Sequence, residues 1–377
     1  MQSVFITKIH VDKVRHIKNI DIVLSENERK NLILTGKNGS GKTSLLEALR
    51  DSVLYEQKLI KPDGTRIIPA AVIKSPNISI TYSKQISNFS NEIFVYISAN
   101  RSKFIVPKAV EPFKIINKTQ ISHNASKDFL KYILLLDYQM YGAKSDNDKK
   151  LEASLEKWFD DFISALREIY SCSELKLQRD TKNLVFKIDI PGREPFGLHE
   201  MADGYSAFLD IYMELIMRFE NSSNTSVNYE QPAIVMIDEI ETHLHVELQK
   251  RILPFLTKLF PNVQFIVATH SPFVMTSIEN AVVYDLEKDE YLENPKFYSY
   301  DAVVESFLGT SMYSNELIRY FKRYKELCLK KRSPEENEEF LQAKAEIEVR
   351  AIPSTELYLA YENLERKRRL AKNGSAI

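Results

Sequence analysis

The feature that most constrains the fold is a glycine-rich loop that joins an apolar run to a helix-forming segment. Residues 31–34 suit a buried strand, residues 36–43 fit the pattern G-x-x-x-x-G-K-[ST], and an amphipathic helix is predicted from Lys42 onward. Glycines let the backbone turn tightly, so that successive N–H groups converge on one anion at the positive end of the helix dipole. Because both flanking elements are present, the loop predicts a site for nucleoside triphosphate phosphates rather than an ordinary strand–helix turn.

Two side chains of this loop have predicted roles of their own. Lys42 is expected to reach the β- and γ-phosphates, and the Thr43 hydroxyl is expected to ligate Mg²⁺. The sequence therefore predicts ATP and Mg²⁺ as cofactors. The candidate nucleotide-binding residues of the loop are Gly36, Asn38, Gly39, Ser40, Gly41, Lys42, Thr43 and Ser44.

A second element ends in two adjacent carboxylates. Residues 233–237 are all apolar, which suits a strand buried on both faces of a sheet, and Asp238 and Glu239 follow at its end. Two buried carboxylates are costly without a cation or another partner. We interpret Asp238 as a Mg²⁺ ligand acting through water and Glu239 as the general base that polarises the attacking water. The alternative is a strand tip that merely carries acids, and the phosphate loop in the same chain argues against it.

A third apolar run, residues 264–269, delivers a histidine to the same predicted edge. His270 is expected to hydrogen-bond the γ-phosphate and to respond to its loss. Arg101 follows another predicted core strand and is a candidate phosphate contact, although a surface ion pair explains it equally well. His243 and His245 have a spacing seen in metal sites, but the sequence places no further ligand beside them.

These elements in this order resemble the heads of ABC-type ATPases. The resemblance is strongest to the AAA subgroup with OLD-family nucleases, RecF- and SMC-like ATPases and anti-phage defence ATPases. Residues 237–249 are similar to that subgroup's D-E-x-E-x-H-L-H-P-x-x-x-Q pattern, with Val246 in the usual proline position. The resemblance covers roughly residues 1–100 and 175–290. It implies an α/β fold, namely an ABC-type P-loop ATPase head with a mixed sheet and an antiparallel β subdomain.

The resemblance also implies a signature segment, residues 200–206, at the start of a long helix predicted over residues 207–219. In the family this segment reaches across a dimer to the partner's nucleotide, and Asp203 and Gly204 occupy the matching positions. The family prefers serine where this chain has Ala202, so slower activation in trans is expected. The resemblance implies a homodimer, or a higher even oligomer, that sandwiches ATP and parts on hydrolysis.

The chain is long enough for more than one compact region. We expect an ATPase domain over residues 1–300, a helical insertion at about residues 114–170, and a charged helical C-terminal region over residues 301–377. A polar, exposed connection is predicted within the insertion at residues 142–148. Near the start of the chain, residues 14–19 are predicted to connect two strands.

The composition of the chain bears on its expected partners and on its expected location in the cell. The formal net charge of −1 over 377 residues argues against a generally basic nucleic-acid binder, although local basic patches keep nucleic acid possible as a partner. The two cysteines, Cys172 and Cys328, are far apart and form no disulfide framework. No run of eighteen apolar residues and no signal core occur, so no membrane association and a cytoplasmic location are expected.

Two hypotheses about the biological role remain. The first is an ATPase that regulates or scaffolds a separate nuclease-like effector in anti-phage defence, resembling PARIS- or Septu-like systems. The second is a DNA repair or recombination ATPase of the RecF or SMC type that acts directly on DNA. Absent coiled-coil heptads and near-neutral charge count against the second. The charged helical tail lacks the acidic pattern of OLD-like nuclease domains, so effector chemistry is expected from another chain.

Overall fold

The chain divides into two compact units, Met1–Val303 and Val304–Ile377. The structure is a computed structural model. The residues that it describes are 4–58, 72–74, 77–84, 93–100, 125–180, 183, 185–221, 226–306, 313–351 and 356–373.

The secondary structure elements alternate between strands and helices over most of the first unit. The described strands are, in chain order, β1 (Ile6–Val14), β2 (Ile17–Val23), β3 (Asn31–Thr35), β4 (Val72–Lys74), β5 (Ile78–Tyr82), β6 (Ile93–Ile97), β7 (Lys176–Asp180), β8 (Val185–Asp189), β9 (Phe196–Gly197), β10 (Glu220–Asn221), β11 (Ser226–Val227), β12 (Ala233–Ile237), β13 (Val263–Ala268), β14 (Ala281–Asp285) and β15 (Glu290–Glu293). The described helices are α1 (Lys42–Lys58), α2 (Phe129–Ser145), α3 (Lys149–Tyr170), α4 (Asp203–Phe219), α5 (Val246–Leu259), α6 (Pro272–Met275), α7 (Tyr300–Ser306), α8 (Asn315–Cys328), α9 (Pro334–Arg350) and α10 (Glu356–Asn373).

The central sheet of the first unit has the strand order β15-β14-β3-β13-β12-β6. All of its pairings are parallel except that of β14 with β15. Every residue of β3, β12 and β13 is buried, as expected for strands covered on both faces. The register pairs Ile237 with Val267 and Ala268 with Leu34, so the carboxyl ends of these three strands meet at one edge.

A second, antiparallel sheet has the order β2-β1-β5-β4, so the predicted α/β fold with a mixed sheet and an antiparallel β subdomain is confirmed. The connection predicted at residues 14–19 is shorter than expected. Val14 pairs with Ile17, which leaves only Arg15 and His16 as a two-residue turn, with Arg15 at φ 54°. The strands extend this far because Val14 and Ile17 are buried, and burial favours continued pairing.

The helices α2 and α3 form the described part of the predicted insertion. Phe162 lies at the centre of their aromatic core, with ring centroids 5.3 Å from Phe129 and 5.4 Å from Trp158. Phe162 also stacks on Tyr212 of α4 at 6.3 Å, so the insertion shares a core with α4. The prediction of a polar connection at residues 142–148 is wrong for residues 142–145, which are helical. The helix α2 continues to Ser145 because Ala143 is still buried on its apolar face.

The second unit contains α8, α9 and α10. These helices enclose their own apolar core, in which Tyr324, Phe340, Ile347 and Tyr361 are buried. Ser314 and Ser333 accept backbone hydrogen bonds at the N-termini of α8 and α9, respectively, and thereby define where these helices begin. Within the described ranges, no helix has the length and apolar character needed to cross a membrane.

Candidate nucleotide-binding site

The glycine-rich loop lies at the carboxyl edge of the central sheet, between β3 and α1. Gly36 and Gly41 adopt φ values of 133° and 97°, which side chains with a Cβ rarely adopt. A Cβ on Gly36 would also lie 2.7 Å from Ser40 Oγ, and one on Gly41 would lie 2.7 Å from Ile17 Cδ1. The loop is therefore held against the β1–β2 hairpin, where His16 Nε2 contacts the Ser40 carbonyl oxygen at 3.0 Å.

Lys42 is buried within the loop that it terminates. Its Nζ donates hydrogen bonds to the carbonyl oxygens of Gly36 at 2.9 Å and Lys37 at 3.3 Å. Burial lowers the pKa of Lys42, and nearby carboxylates, led by Glu241, act in the opposite direction. The ammonium group thus lies across the inside of the loop, where an arriving anion would meet it.

Two hydroxyl groups at this loop are buried without a partner. Thr35 Oγ1, at the end of β3, and Ser40 Oγ have no hydrogen-bond partner among the residues that the structure describes. Buried polar atoms of this kind are uncommon, because each one costs about 1–3 kcal/mol unless something pairs with it. Their presence beside a buried lysine fits a loop whose polar groups are completed by a bound phosphate chain.

The second element meets the loop directly. The Thr43 hydroxyl donates a hydrogen bond of 3.2 Å to Asp238 Oδ1, although the two residues are 195 positions apart in the sequence. Asp238 is 2% exposed, and its backbone N–H donates to the Ile97 carbonyl oxygen of β6 at 2.9 Å. Hydroxyl and carboxylate oxygens are the ligands that Mg²⁺ prefers, so this pair suits that ion.

The segment after Asp238 has an unusual backbone. Glu239 at φ 43° and His243 at φ 65° are both left-handed, a conformation that costs non-glycine residues of the order of 1–3 kcal/mol and that concentrates at functional sites. Glu239 Oε2 accepts a hydrogen bond of 3.2 Å from the Thr242 hydroxyl, and the Ile240 N–H donates to the Ala268 carbonyl oxygen of β13. The backbone and Thr242 together hold the Glu239 carboxylate at the sheet edge.

The third element reaches the same place. The pKa of His270 is lowered overall. Burial and the Lys42 ammonium lower it by more than the carboxylates of Glu241 and Glu239 raise it. The imidazole is therefore neutral at neutral pH, when it can donate or accept a hydrogen bond. The carboxylates of Asp238 and Glu239 also act on Lys42, where they raise the pKa against the effect of burial. The structure thus brings the four predicted residues from three distant segments into one electrostatic environment.

Two residues that follow the second element, Glu241 and Gln249, had no predicted role but join this part of the chain to the third element. Glu241 Oε1 accepts a hydrogen bond of 2.6 Å from the backbone N–H of His270, and Oε2 is buried without a partner in the described part of the chain. Gln249 donates to the Leu244 carbonyl oxygen at 2.7 Å and accepts from the Ser271 hydroxyl at 2.6 Å. Glu241 belongs to the D-E-x-E-x-H-L-H-P-x-x-x-Q pattern, and Gln249 lies one residue before the position of its final glutamine, so this pattern was the available signal.

The predicted signature segment differs in one respect from expectation. The helix α4 begins at Asp203 rather than at residue 207, so Asp203 and Gly204 lie in its first turn, with Ala202 at the N-cap position. Ala202 supplies no side-chain cap, so no side chain at the N-cap position competes with a ligand for the first N–H groups of α4. A Cβ on Gly204 would lie 3.0 Å from the His243 carbonyl oxygen, so the segment packs closely on the loop after Glu239.

Two other features of the sequence, Arg101 and the spacing of His243 and His245, have different outcomes. Arg101 lies outside the described residues, so its candidate phosphate contact stays a prediction. No group of three or more His, Cys, Asp or Glu side chains suited to a metal occurs in the residues that the structure describes, and His243 and His245 gain no third ligand from them.

A phosphate loop, an Asp-Glu strand tip and a histidine strand end that meet at the carboxyl edge of a largely parallel sheet define a P-loop nucleotide-binding domain. Comparisons with known proteins agree. A family model described as "AAA domain, putative AbiEii toxin, Type IV TA system" matches residues 119–276, and one described as "AAA domain" matches residues 8–190. The chain therefore carries an AAA-type ATPase domain.

Curated relatives place this domain more narrowly. The chain is 25% identical to the Septu protein PtuA of Bacillus mycoides (strain KBAB4), over 89% of this chain and 49% of PtuA. It is 34% identical to the Retron Ec83 probable ATPase of Escherichia coli, over 33% of this chain and 22% of that protein. The chain is thus homologous to the Septu protein PtuA, which confirms the predicted resemblance to Septu-like systems, and to a retron probable ATPase, which was not predicted. It spans about half or less of the length of these relatives.

A solved structure, the SMC head domain from Thermotoga maritima, is similar to this chain with a TM-score of 0.36 and 14% sequence identity. The match covers 74% of this chain and 94% of that domain.

Proposed function

We propose that this protein binds and hydrolyses ATP with Mg²⁺ and that ATP-driven dimerisation regulates or scaffolds a separate, nuclease-like effector in anti-phage defence. The observation that carries the ATPase part is the hydrogen bond between Thr43 and Asp238, flanked by buried Lys42. It joins the loop suited to phosphates and the strand tip suited to a metal in one site. The role in defence is supported by homology to Septu PtuA and a retron ATPase.

Each side chain of the site has a role in this proposal. Lys42 and the loop N–H groups would bind the phosphates, and Thr43 and Asp238 would hold Mg²⁺, which would offset the negative charge on the phosphates. Glu239 accepts a proton from the attacking water, and neutral His270 hydrogen-bonds the γ-phosphate. Because the Glu239 carboxylate is held by Thr242, its orientation is set before ATP binds.

The dimer is proposed from the signature segment. Asp203 and Gly204 lie in the first turn of α4, where unpaired backbone N–H groups and the helix dipole favour an anion. In the proposed assembly, these groups contact the γ-phosphate bound to the other protomer. An alanine at the N-cap lacks the hydroxyl that a serine would offer, so we expect slow turnover.

Glu241 provides a prediction about how the site is built. Glu241→Gln keeps an oxygen that accepts the His270 N–H, whereas Glu241→Ala leaves that half-buried N–H unpaired, which costs about 1–3 kcal/mol. We expect kcat for ATP hydrolysis to fall about tenfold further in the alanine variant than in the glutamine variant. Steady-state kinetics measure this. Equal losses in the two variants would show that the charge of Glu241, and not this hydrogen bond, sets the position of His270.

The proposed function is tested by purifying the chain with its genomic neighbours and measuring ATP hydrolysis and mass. We expect Mg²⁺-dependent hydrolysis, an even number of ATPase protomers, and a copurifying protein whose nuclease activity depends on the state of the ATPase. An ATPase rate that duplex DNA stimulates in a salt-sensitive way, without any such protein, would favour direct action on DNA instead. A chain that binds no ATP would contradict the proposal.

A further inference from the structure

The insertion contacts the signature segment through a pair of stacked tyrosines. Tyr170 is the last residue of α3, and Tyr205 lies in the first turn of α4, one residue after Gly204. Their ring centroids are 4.2 Å apart and their planes are inclined by only 5°. The hydroxyl of Tyr170 is buried and has no hydrogen-bond partner in the described ranges, so this residue contributes its ring and not its polar group.

An arginine holds the same end of α3 from a different side. Arg251, on α5, donates to the Ile169 carbonyl oxygen at 3.3 Å, to the Ser171 hydroxyl at 2.6 Å and to the Glu168 carbonyl oxygen. These carbonyl groups belong to the last turn of α3, where the helix dipole favours a cation, and the Glu168 carbonyl oxygen also accepts a hydrogen bond of 3.2 Å from the Ser171 backbone N–H. Arg251 therefore fixes the C-terminus of α3 to α5.

The helix α5 follows the loop that carries Glu239, and this loop also contacts α4. As described above, Gly204 approaches the His243 carbonyl oxygen so closely that a Cβ would lie 3.0 Å from it. Three elements thus meet at the first turn of α4: the end of α3, the start of α5 and the loop after Glu239. We call this meeting point the signature joint and define it by Tyr170, Gly204, Tyr205, His243 and Arg251.

We propose that Tyr170 and Arg251 are positioning residues that hold the signature segment in the orientation needed to contact the nucleotide of a second protomer. The proposal rests on the proposed ATPase function and names the part of the chain that governs it. The stack fixes the direction of the first turn of α4, and Arg251 fixes the α3 end that carries Tyr170. A shift of the insertion relative to α5 therefore tilts Asp203 and Gly204, and turnover depends on where the insertion lies.

The residues that we propose bind ATP within the same protomer do not take part in the signature joint. Lys42, Thr43 and Asp238 make none of the contacts of the signature joint. Loss of the joint should therefore lower kcat, which needs the signature segment, and leave the affinity for ATP, which depends on the phosphate loop, unchanged. A role limited to packing would lower the unfolding temperature without producing this separation.

The test compares two alanine variants with two matched controls in the full chain. Tyr170→Ala removes the stack, whereas Tyr170→Phe removes only the hydroxyl that lacks a partner. Arg251→Ala removes the cap on α3. Lys258→Ala removes an exposed ion pair of 3.0 Å between Lys258 and Glu168, which links the same two helices and is expected to contribute little.

For both alanine variants we expect kcat to fall about tenfold, which corresponds to ~1.4 kcal/mol, with ATP affinity unchanged within about twofold. Both controls should retain wild-type kcat. In a Glu239→Gln background, each alanine variant should also shorten the lifetime of the ATP-bound dimer in sedimentation. If Tyr170→Ala proves too unstable to assay, Arg251→Ala with its control decides the question alone.

Three results would overturn the inference, and they are distinguishable. Wild-type kcat in both alanine variants, or in Arg251→Ala where that is the only stable one, would overturn the inference and leave the proposed ATPase function standing. A wild-type chain that neither binds nor hydrolyses ATP would overturn the proposed function, and the inference would fall with it. A parallel rise in KM for the alanine variants, with kcat unchanged, would also refute a positioning role for the joint.

Discussion

Replacing Glu239 with glutamine is expected to lower ATP turnover by a factor of about 10²–10⁴, the usual range for a lost general base, while ATP binding is retained. Glutamine preserves the size of the side chain and an oxygen that can accept the hydrogen bond of Thr242, so the local backbone is left in place. The substitution removes the negative charge of the carboxylate and, with it, the ability to accept a proton from water. Single-turnover hydrolysis and equilibrium ATP binding separate the two effects.

The same substitution should make the dimer observable. If hydrolysis allows the protomers to part, Glu239→Gln with ATP and Mg²⁺ should sediment as a stable dimer, whereas the nucleotide-free variant should not. Glu247→Gln is a suitable control because Glu247 lies on α5, is 78% exposed at its side chain and takes no part in the site. Normal turnover in the Glu239 variant would mean that another group activates the water.

Replacing Lys42 with alanine is expected to weaken ATP binding by at least about 100-fold, because hydrogen bonds to charged groups contribute about 1.5–3 kcal/mol each. The ammonium is buried among the carbonyl oxygens of Gly36 and Lys37, and within the loop no other cation has this position. The change should abolish both the thermal stabilisation by ATP and any turnover. Differential scanning fluorimetry with increasing ATP measures the first effect.

Lys37 provides a control within the same loop. Its side chain is 73% exposed and pairs with Glu287 at 2.8 Å, which is the principal cause of its raised pKa. Lys37→Ala changes the formal charge of the loop by the same amount as Lys42→Ala but removes a group that lies outside it. We expect an affinity for ATP within about threefold of wild type. Equal losses in the two lysine variants would show that general charge, and not the position of Lys42, drives binding.

The local elements were largely predictable because each has a strong local cause. The apolar runs at β3, β12 and β13 could satisfy their backbone only in a sheet covered on both faces, and the loop between β3 and α1 contains glycines where positive φ is required. Errors arose at boundaries. The hairpin turn at residues 15–16 and the continuation of α2 to Ser145 depend on which side chains become buried, and burial is a property of the whole fold.

Contacts between segments that are distant in the sequence could not be predicted in the same way. The sequence indicated that Asp238 and His270 lie at the same edge of the sheet, but the 2.6 Å hydrogen bond from the His270 N–H to Glu241 depends on the left-handed backbone at Glu239 and His243. No local pattern encodes such a backbone, because its cost is offset by packing supplied from elsewhere. The stack of Tyr170 on Tyr205 likewise joins residues 35 positions apart through the packing of α3 beside α4.

By itself, the sequence determined which groups are available: a glycine-rich loop of the phosphate-binding pattern, a strand tip with two carboxylates and a histidine, each next to a strand whose apolar character favours a buried position. Only the tertiary structure decided which of these segments contact one another. It placed the signature segment against the loop after Glu239, and it joined the end of α3 to that segment through Tyr170 and to α5 through Arg251. The physical reason is that local composition sets which groups are available, whereas packing across the whole unit sets the distances between them.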